Sequence, residues 1–207
     1  DQNGCSDPNI LVDRKTGEIL VSAVWTHGKP GTHQWVGKGS EPGHSIHKSS
    51  QFMMVRSKDD GLTWSEPENW TKRLKDPKWC LFAPAPGNGI NLMDGTLVMP
   101  TQGRDATGFP FSNFMWSKDH GKSWTLSSPA RDNTTECSVA ELKDGSLMLN
   151  IRDNRNRKDK SKTNGRAVSV TKDMGKNWKV HSSDHGALPE PVCMASLICH
   201  DLEDGRR

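Results

Sequence analysis

Glu136 and Arg152 offer two complementary groups: a carboxylate that can take a proton and a guanidinium whose N–H fork holds anions. Glu136 enters the first strand of a strand pair and Arg152 leaves the second, so both fall at one rim of a sheet. Asp7, ahead of an earlier first strand, and Gln102, after another second strand, project to the same rim. Read as a two-residue loop, Asp144-Gly145 sets Lys143 opposite Ser146. That register puts Cys137 opposite Arg152, with Glu136 diagonally beside it. The competing reading is an ordinary cross-strand ion pair, worth about 0.2–1 kcal/mol.

The strands that hold these residues are counted out by a repeat. Ser/Thr-x-Asp-x-Gly-x-Ser/Thr/Asn-Trp occurs at Ser57, Asp59, Gly61 and Trp64, at Ser117, Asp119, Gly121 and Trp124, and at Thr171, Asp173, Gly175 and Trp178. A fixed period of about 54 to 60 residues in a chain of short strands points to a propeller or a solenoid. Before each box, apolar runs alternate with turns. In the third unit they are 137–142, the Lys143-Asp144-Gly145 turn, 146–152 and 166–170. A fourth run starts inside each box, at Leu62, Ser123 and Asn177.

Four antiparallel strands per repeat make one propeller blade. The chain therefore reads as all-β, a partial β-propeller domain over 1–207. Its blade units fall at roughly 5–70, 80–130 and 136–182, and another starts at 188–207 with a strand expected over 192–200. In such blades the boxes share one end with the Asp-Gly hairpins, and Glu136 and Arg152 lie at the other. Within a box, Asp and Ser/Thr can bond amides across the turn, Gly can take a positive φ, and Trp can cover the turn. The boxes read as staples of structure rather than as chemistry.

Composition narrows the function classes. A formal charge of +3 is too mild to argue for nucleic acid, and no aromatic-basic stacking platform is visible. It is compatible with a small anionic ligand. No apolar run approaches the length of a transmembrane helix, so no transmembrane segment is expected. The five cysteines (Cys5, Cys80, Cys137, Cys193 and Cys199) form no C-x-x-C pair and suggest neither a zinc site nor a disulfide framework. His44 and His47 lack a carboxylate at ligand spacing and read as a solvated loop; no metal and no cofactor are expected. The basic run from Arg155 to Lys162 lies between second and third strands at the Glu136 rim, as a solvated loop or a steering surface for anionic glycans.

Several motifs taken together carry a resemblance: the three boxes, Cys5-Ser-Asp7-Pro8, Phe82-Ala-Pro-Ala-Pro-Gly87-Asn-Gly89-Ile90, Asn133-Thr-Thr-Glu136, and Leu147 through Arg152 to Arg155. In this order, over essentially the whole chain, they resemble the sialidase (neuraminidase) family, and its bacterial exo-α-sialidases in particular. The resemblance implies a six-bladed propeller, of which about three blades and one strand are present, that releases terminal sialic acid with retention through a tyrosine nucleophile. It implies that Glu136 activates the tyrosine and that Arg152 is the second of three arginines clamping the substrate carboxylate. Asp7 matches the aspartate that accepts from the N-acetyl amide, and Gln102 faces the glycerol side chain or lines the rim.

The chain contains no tyrosine. The family's first arginine and acid/base aspartate would precede the region of Asp7, and its third arginine and tyrosine would follow Arg207. The implied partners are sialylated glycans, at a secreted, periplasmic or cell-surface location that the sequence does not specify. Two alternatives remain: a non-catalytic propeller that binds glycan or protein, and a trans-sialidase.

Overall fold

The computed structural model describes residues 3–27, 40–159, 164–190 and 192–200. Lys160 to Lys162 of the basic run and the 201–207 part of the fourth unit lie outside them. Three antiparallel sheets follow one another along the chain. The first holds β1 (Gly4–Val12), β2 (Ile19–Thr26), β3 (Gln51–Ser57) and β4 (Glu68–Asn69). The second is built from β5 (Leu81–Pro84), β6 (Gly87–Asn88), β7 (Ile90–Asn91), β8 (Leu97–Arg104), β9 (Pro110–Ser117), β10 (Thr125–Leu126) and β11 (Arg131–Asp132). The third comprises β12 (Thr134–Glu141), β13 (Leu147–Asp153), β14 (Ala167–Thr171) and β15 (Lys179–Val180).

Each sheet is an up-and-down meander, the form of a propeller blade. In the second, the first strand is split. Both β5 and β7 pair with β8, and between them β6 steps across to pair in parallel with β1, Asn9 opposite Gly87. This step stitches the first two blades together through the backbone.

Apolar side chains that alternate along the strands pack between neighbouring sheets. Leu11, Leu20, Phe52 and Met54 of the first blade meet Phe82, Leu97, Met99 and Met115 of the second. Val98 and Phe114 of the second meet Val139, Leu149 and Ile151 of the third. The outer side of the first inner strand is left exposed at Ile10 and Val12. They line an open groove of about 720 Å³ with Ile90, Val139 and Ile198. Trp79 joins the first cluster and Trp116 the second, so both are packing residues.

Three local expectations are corrected. The fourth strands are two residues long and begin beyond the expected positions in all three blades, at Glu68, Thr125 and Lys179. The box itself is the reason: Thr63, Ser123 and Asn177 give their amide N–H groups to the box aspartates at 2.9 Å, not to a ladder. The hairpin after β12 closes at Leu142 opposite Ser146, so Cys137 pairs with Ile151 rather than Arg152. Gly145, at φ 76°, adds a left-handed residue and makes this a three-residue loop. Finally, 192–200 forms no strand, because nothing among the described residues pairs with it along a ladder.

The boxes repeat one hydrogen-bond pattern. Ser57, Ser117 and Thr171 donate to the aspartate two residues on and accept from the glycine N–H at 2.9, 2.9 and 3.0 Å. The residue before each glycine is also left-handed: Asp60, His120 and Met174 have φ of 55, 61 and 57°. Two boxes also dock on the blade before them. Arg56 of β3 donates to the Gly121 carbonyl, and His120 lies 2.7 Å from the buried carboxylate of Asp13. Ser128 donates to the Gly175 carbonyl at 2.6 Å, while Trp178 sets its ring edge-on to Phe114.

Candidate active site

The inner strands of the first and third blades depart from a regular ladder at the rim opposite the boxes. The register of β1 against β2 shifts between Ser6 and Asn9, and that of β12 against β13 shifts between Thr134 and Cys137. Each shift is a bulge, which re-aims side chains that strict alternation would send to opposite faces. Asp7 sits in the first, with φ 52°, and Glu136 in the second. They occupy equivalent places, each five residues ahead of the last paired residue of its strand, Val12 and Glu141. Gln102 and Arg152 are likewise equivalent, each five residues beyond the first residue of its second strand, Leu97 and Leu147.

The bulge in β12 sets Thr135 and Glu136 together against Arg152. An Arg152 Nη donates to a Glu136 carboxylate oxygen at 2.6 Å, with both side chains about four-fifths covered. Asp7, Gln102, Glu136 and Arg152 line one cavity of about 270 Å³. All four residues singled out from the sequence therefore meet. Burial, and then the negative charge of Glu136, push the Asp7 carboxyl up to about 6. Gln102 is buried and its amide reaches toward the Pro84 carbonyl at 3.4 Å. Arg152 Nε and Thr135 Oγ1 are buried without a hydrogen-bond partner among the described residues. Such atoms are rare in native interiors and mark places where a ligand or solvent completes the bonding.

Of the other charged lining residues, sequence reasoning did not single out Arg104, and it placed Arg157 only as part of the basic run at this rim. Arg104 follows Gln102 by two on β8 and so shares its face. Arg157 ends a 3₁₀ turn (Asn154–Arg157) whose anchoring is not local. Asp153 caps it, and Asn156 is held by the Gly165 carbonyl and by Glu190. The box carboxylates lie elsewhere: Lys172, inside the third box, bridges to Asp144 in the β12–β13 hairpin at 2.8 Å, at the far end of the blade.

Strand meanders packed face to face, with bent inner strands closing a carboxylate–guanidinium cavity at one rim, define a partial β-propeller with a polar site on its box-free face. The chain belongs to the BNR repeat-like domain family, which matches residues 1–194. It is 49% identical over 203 residues to a sialidase of Bacteroides fragilis, a match covering 98% of this chain and 36% of that protein. Among solved structures, the Hadza microbial sialidase Hz136 superposes with a TM-score of 0.87 at 50% identity, over 95% of this chain and 37% of that one. The Trypanosoma rangeli sialidase, at 20% identity, shares the fold with a TM-score of 0.74 over 97% of this chain and 33% of its own. These neighbours are β-propellers, and the chain spans little more than a third of the length of such relatives.

Proposed function

We propose that this chain is part of an exo-α-sialidase that releases terminal sialic acid from glycoconjugates with retention. The observation that carries the reading is the Glu136–Arg152 pair at 2.6 Å, in one cavity with Asp7 and Gln102. Arg152 holds the sialic acid carboxylate, for which a planar guanidinium is suited by its paired donors. Its unpartnered Nε supports that role. Asp7 accepts from the N-acetyl amide, and Gln102 faces the glycerol side chain.

Glu136 takes the proton of a tyrosine as the phenol oxygen attacks the anomeric carbon and the bond to the aglycone breaks, the aglycone oxygen taking its proton from the acid/base aspartate outside these residues. Water then displaces the tyrosine, which restores the configuration. The chain has no tyrosine, so this nucleophile belongs to a part of the enzyme outside these 207 residues. Sialidases as relatives favour this reading over a propeller that only binds.

The test is cleavage of an aryl α-sialoside by the longer protein that contains this segment. Glu136→Ala and Arg152→Ala should each lower kcat/KM by about 10²–10⁴-fold, the scale of a lost general base or charge-assisted clamp. Near-normal turnover in either variant would show the assignment to be wrong.

A further inference from the structure

The strand that carries Arg152 is regular up to Ile151, which pairs with Cys137 of β12 on one side and Ala167 of β14 on the other. Arg152 itself has no register partner on either side. Beyond it, Asp153 pairs with Thr134, but β14 does not extend to its other edge. In place of a ladder carbonyl, the Asp153 backbone N–H donates to both carboxylate oxygens of Glu190, at 2.9 and 3.2 Å. A buried amide must find an acceptor, and an ionised carboxylate is a stronger one than a carbonyl.

Glu190 is itself held in place. Its side chain is fully buried, accepts from the Asn156 amide at 2.9 Å, and pairs with an Arg166 Nη at 3.3 Å. Arg166 also donates to the side-chain oxygen of Asn150 and, at 2.9 Å, to the Cys193 carbonyl. The buried ion pair thus grips β13 two residues before Arg152 and one residue after it. Backbone fixed on both sides of a residue fixes the direction in which its side chain leaves the strand.

We propose that Glu190 is a positioning residue for Arg152: with Arg166 it fixes the end of β13, so that the guanidinium meets the substrate carboxylate with its paired donors aligned. The inference rests on the reading of Arg152 as the carboxylate clamp. Glu190 does not line the cavity, so it acts through Arg152 and not on the substrate. A buried carboxylate that served stability alone would leave the folded enzyme's kinetics unaltered, or alter them to the same extent with and without Arg152.

A double-mutant cycle in the longer protein tests this, with cleavage of an aryl α-sialoside as the readout. Glu190→Gln turns an amide NH2 toward at least one of the donors that the carboxylate now accepts from. It should lower kcat/KM roughly 10–100-fold, mainly through KM, as for a misaligned contact made in both ground and transition states. Glu190→Asp keeps a charge for Arg166 but draws it back from the Asp153 amide by one methylene. It should lower kcat/KM in the same way, and it carries the test if Glu190→Gln does not fold. In an Arg152→Ala background, either substitution should change kcat/KM by less than about twofold. Equal factors in both backgrounds, or unchanged kinetics with Arg152 present, overturn the positioning role and leave the sialidase reading in place. Failure of the unsubstituted longer protein to cleave the sialoside overturns both.

Discussion

Asp7 carries its carboxyl in the half-buried bulge of β1, beside Glu136, and the outcome is a proton held up to about pH 6 rather than 3.8. Because the folded value is the higher one, the unfolded chain loses its proton first. Stability therefore falls as pH rises from about 4 to 6 and is level above that range. Asp7→Asn should stabilise the chain at pH 7 by on the order of 1 kcal/mol, since solvent screening reduces the effect of the full shift. At pH 4 it should do little. Thermal unfolding of both proteins at the two pH values checks this, and an equal difference at both would contradict it. The same group illustrates what was legible. Asp7, Glu136, Gln102 and Arg152 recur at matched places in the repeat, so counting from the hairpins reaches them. Arg104 also obeys that count, two residues past Gln102, and was within reach of simple alternation. The basic run put Arg157 at the rim, but not its place in the cavity, because its turn depends on Glu190, which is distant in sequence and contacts Asn156 only in the folded chain.

Among the elements, the hairpins and boxes were readable because Asp-Gly turns and the box pattern are local signals. Register was less so. An Asp-Gly turn fits a two-residue or a three-residue loop, and the chain takes the longer one. The bulge then brings Glu136 back beside Arg152, so two departures from the simple ladder offset each other at the site. The glycines of the boxes have a second duty that the pattern did not reveal. A Cβ on Gly121 would come within 2.8 Å of Leu20, and one on Gly175 would overlap Ser127, both on the preceding blade. Gly145 has the same left-handed φ with nothing within 4 Å. Gly145→Ala should cost about 1–2 kcal/mol for backbone conformation alone. Gly175→Ala adds the overlap and should cost about 1–3 kcal/mol more. Denaturant melts of the two variants compare them directly. Equal losses would mean that the box does not dock as described.

At the scale of the whole molecule, three blades pack in series around two interfacial cores, and the inner strands leave Ile10 and Val12 facing an open groove. Glu136 and Arg152 come from one blade, Gln102 and Asp7 from the other two, so the cavity exists only when all three are in place. The isolated chain is expected to show no turnover, since it supplies Glu136 and one arginine of the clamp but no tyrosine. Release of free sialic acid from an aryl sialoside, measured against a no-protein blank, is expected to be nil. Turnover by the pure 207-residue chain would require a different nucleophile.

The docking of the second and third boxes on the blade before them has a direction. Arg56 grips the second box, Ser128 grips the third, and β6 reaches back to β1. Every one of these contacts joins a later segment to one that left the ribosome earlier. A blade emerging during synthesis thus meets a receiving surface that has already been translated, and the blades can dock in the order in which they are made.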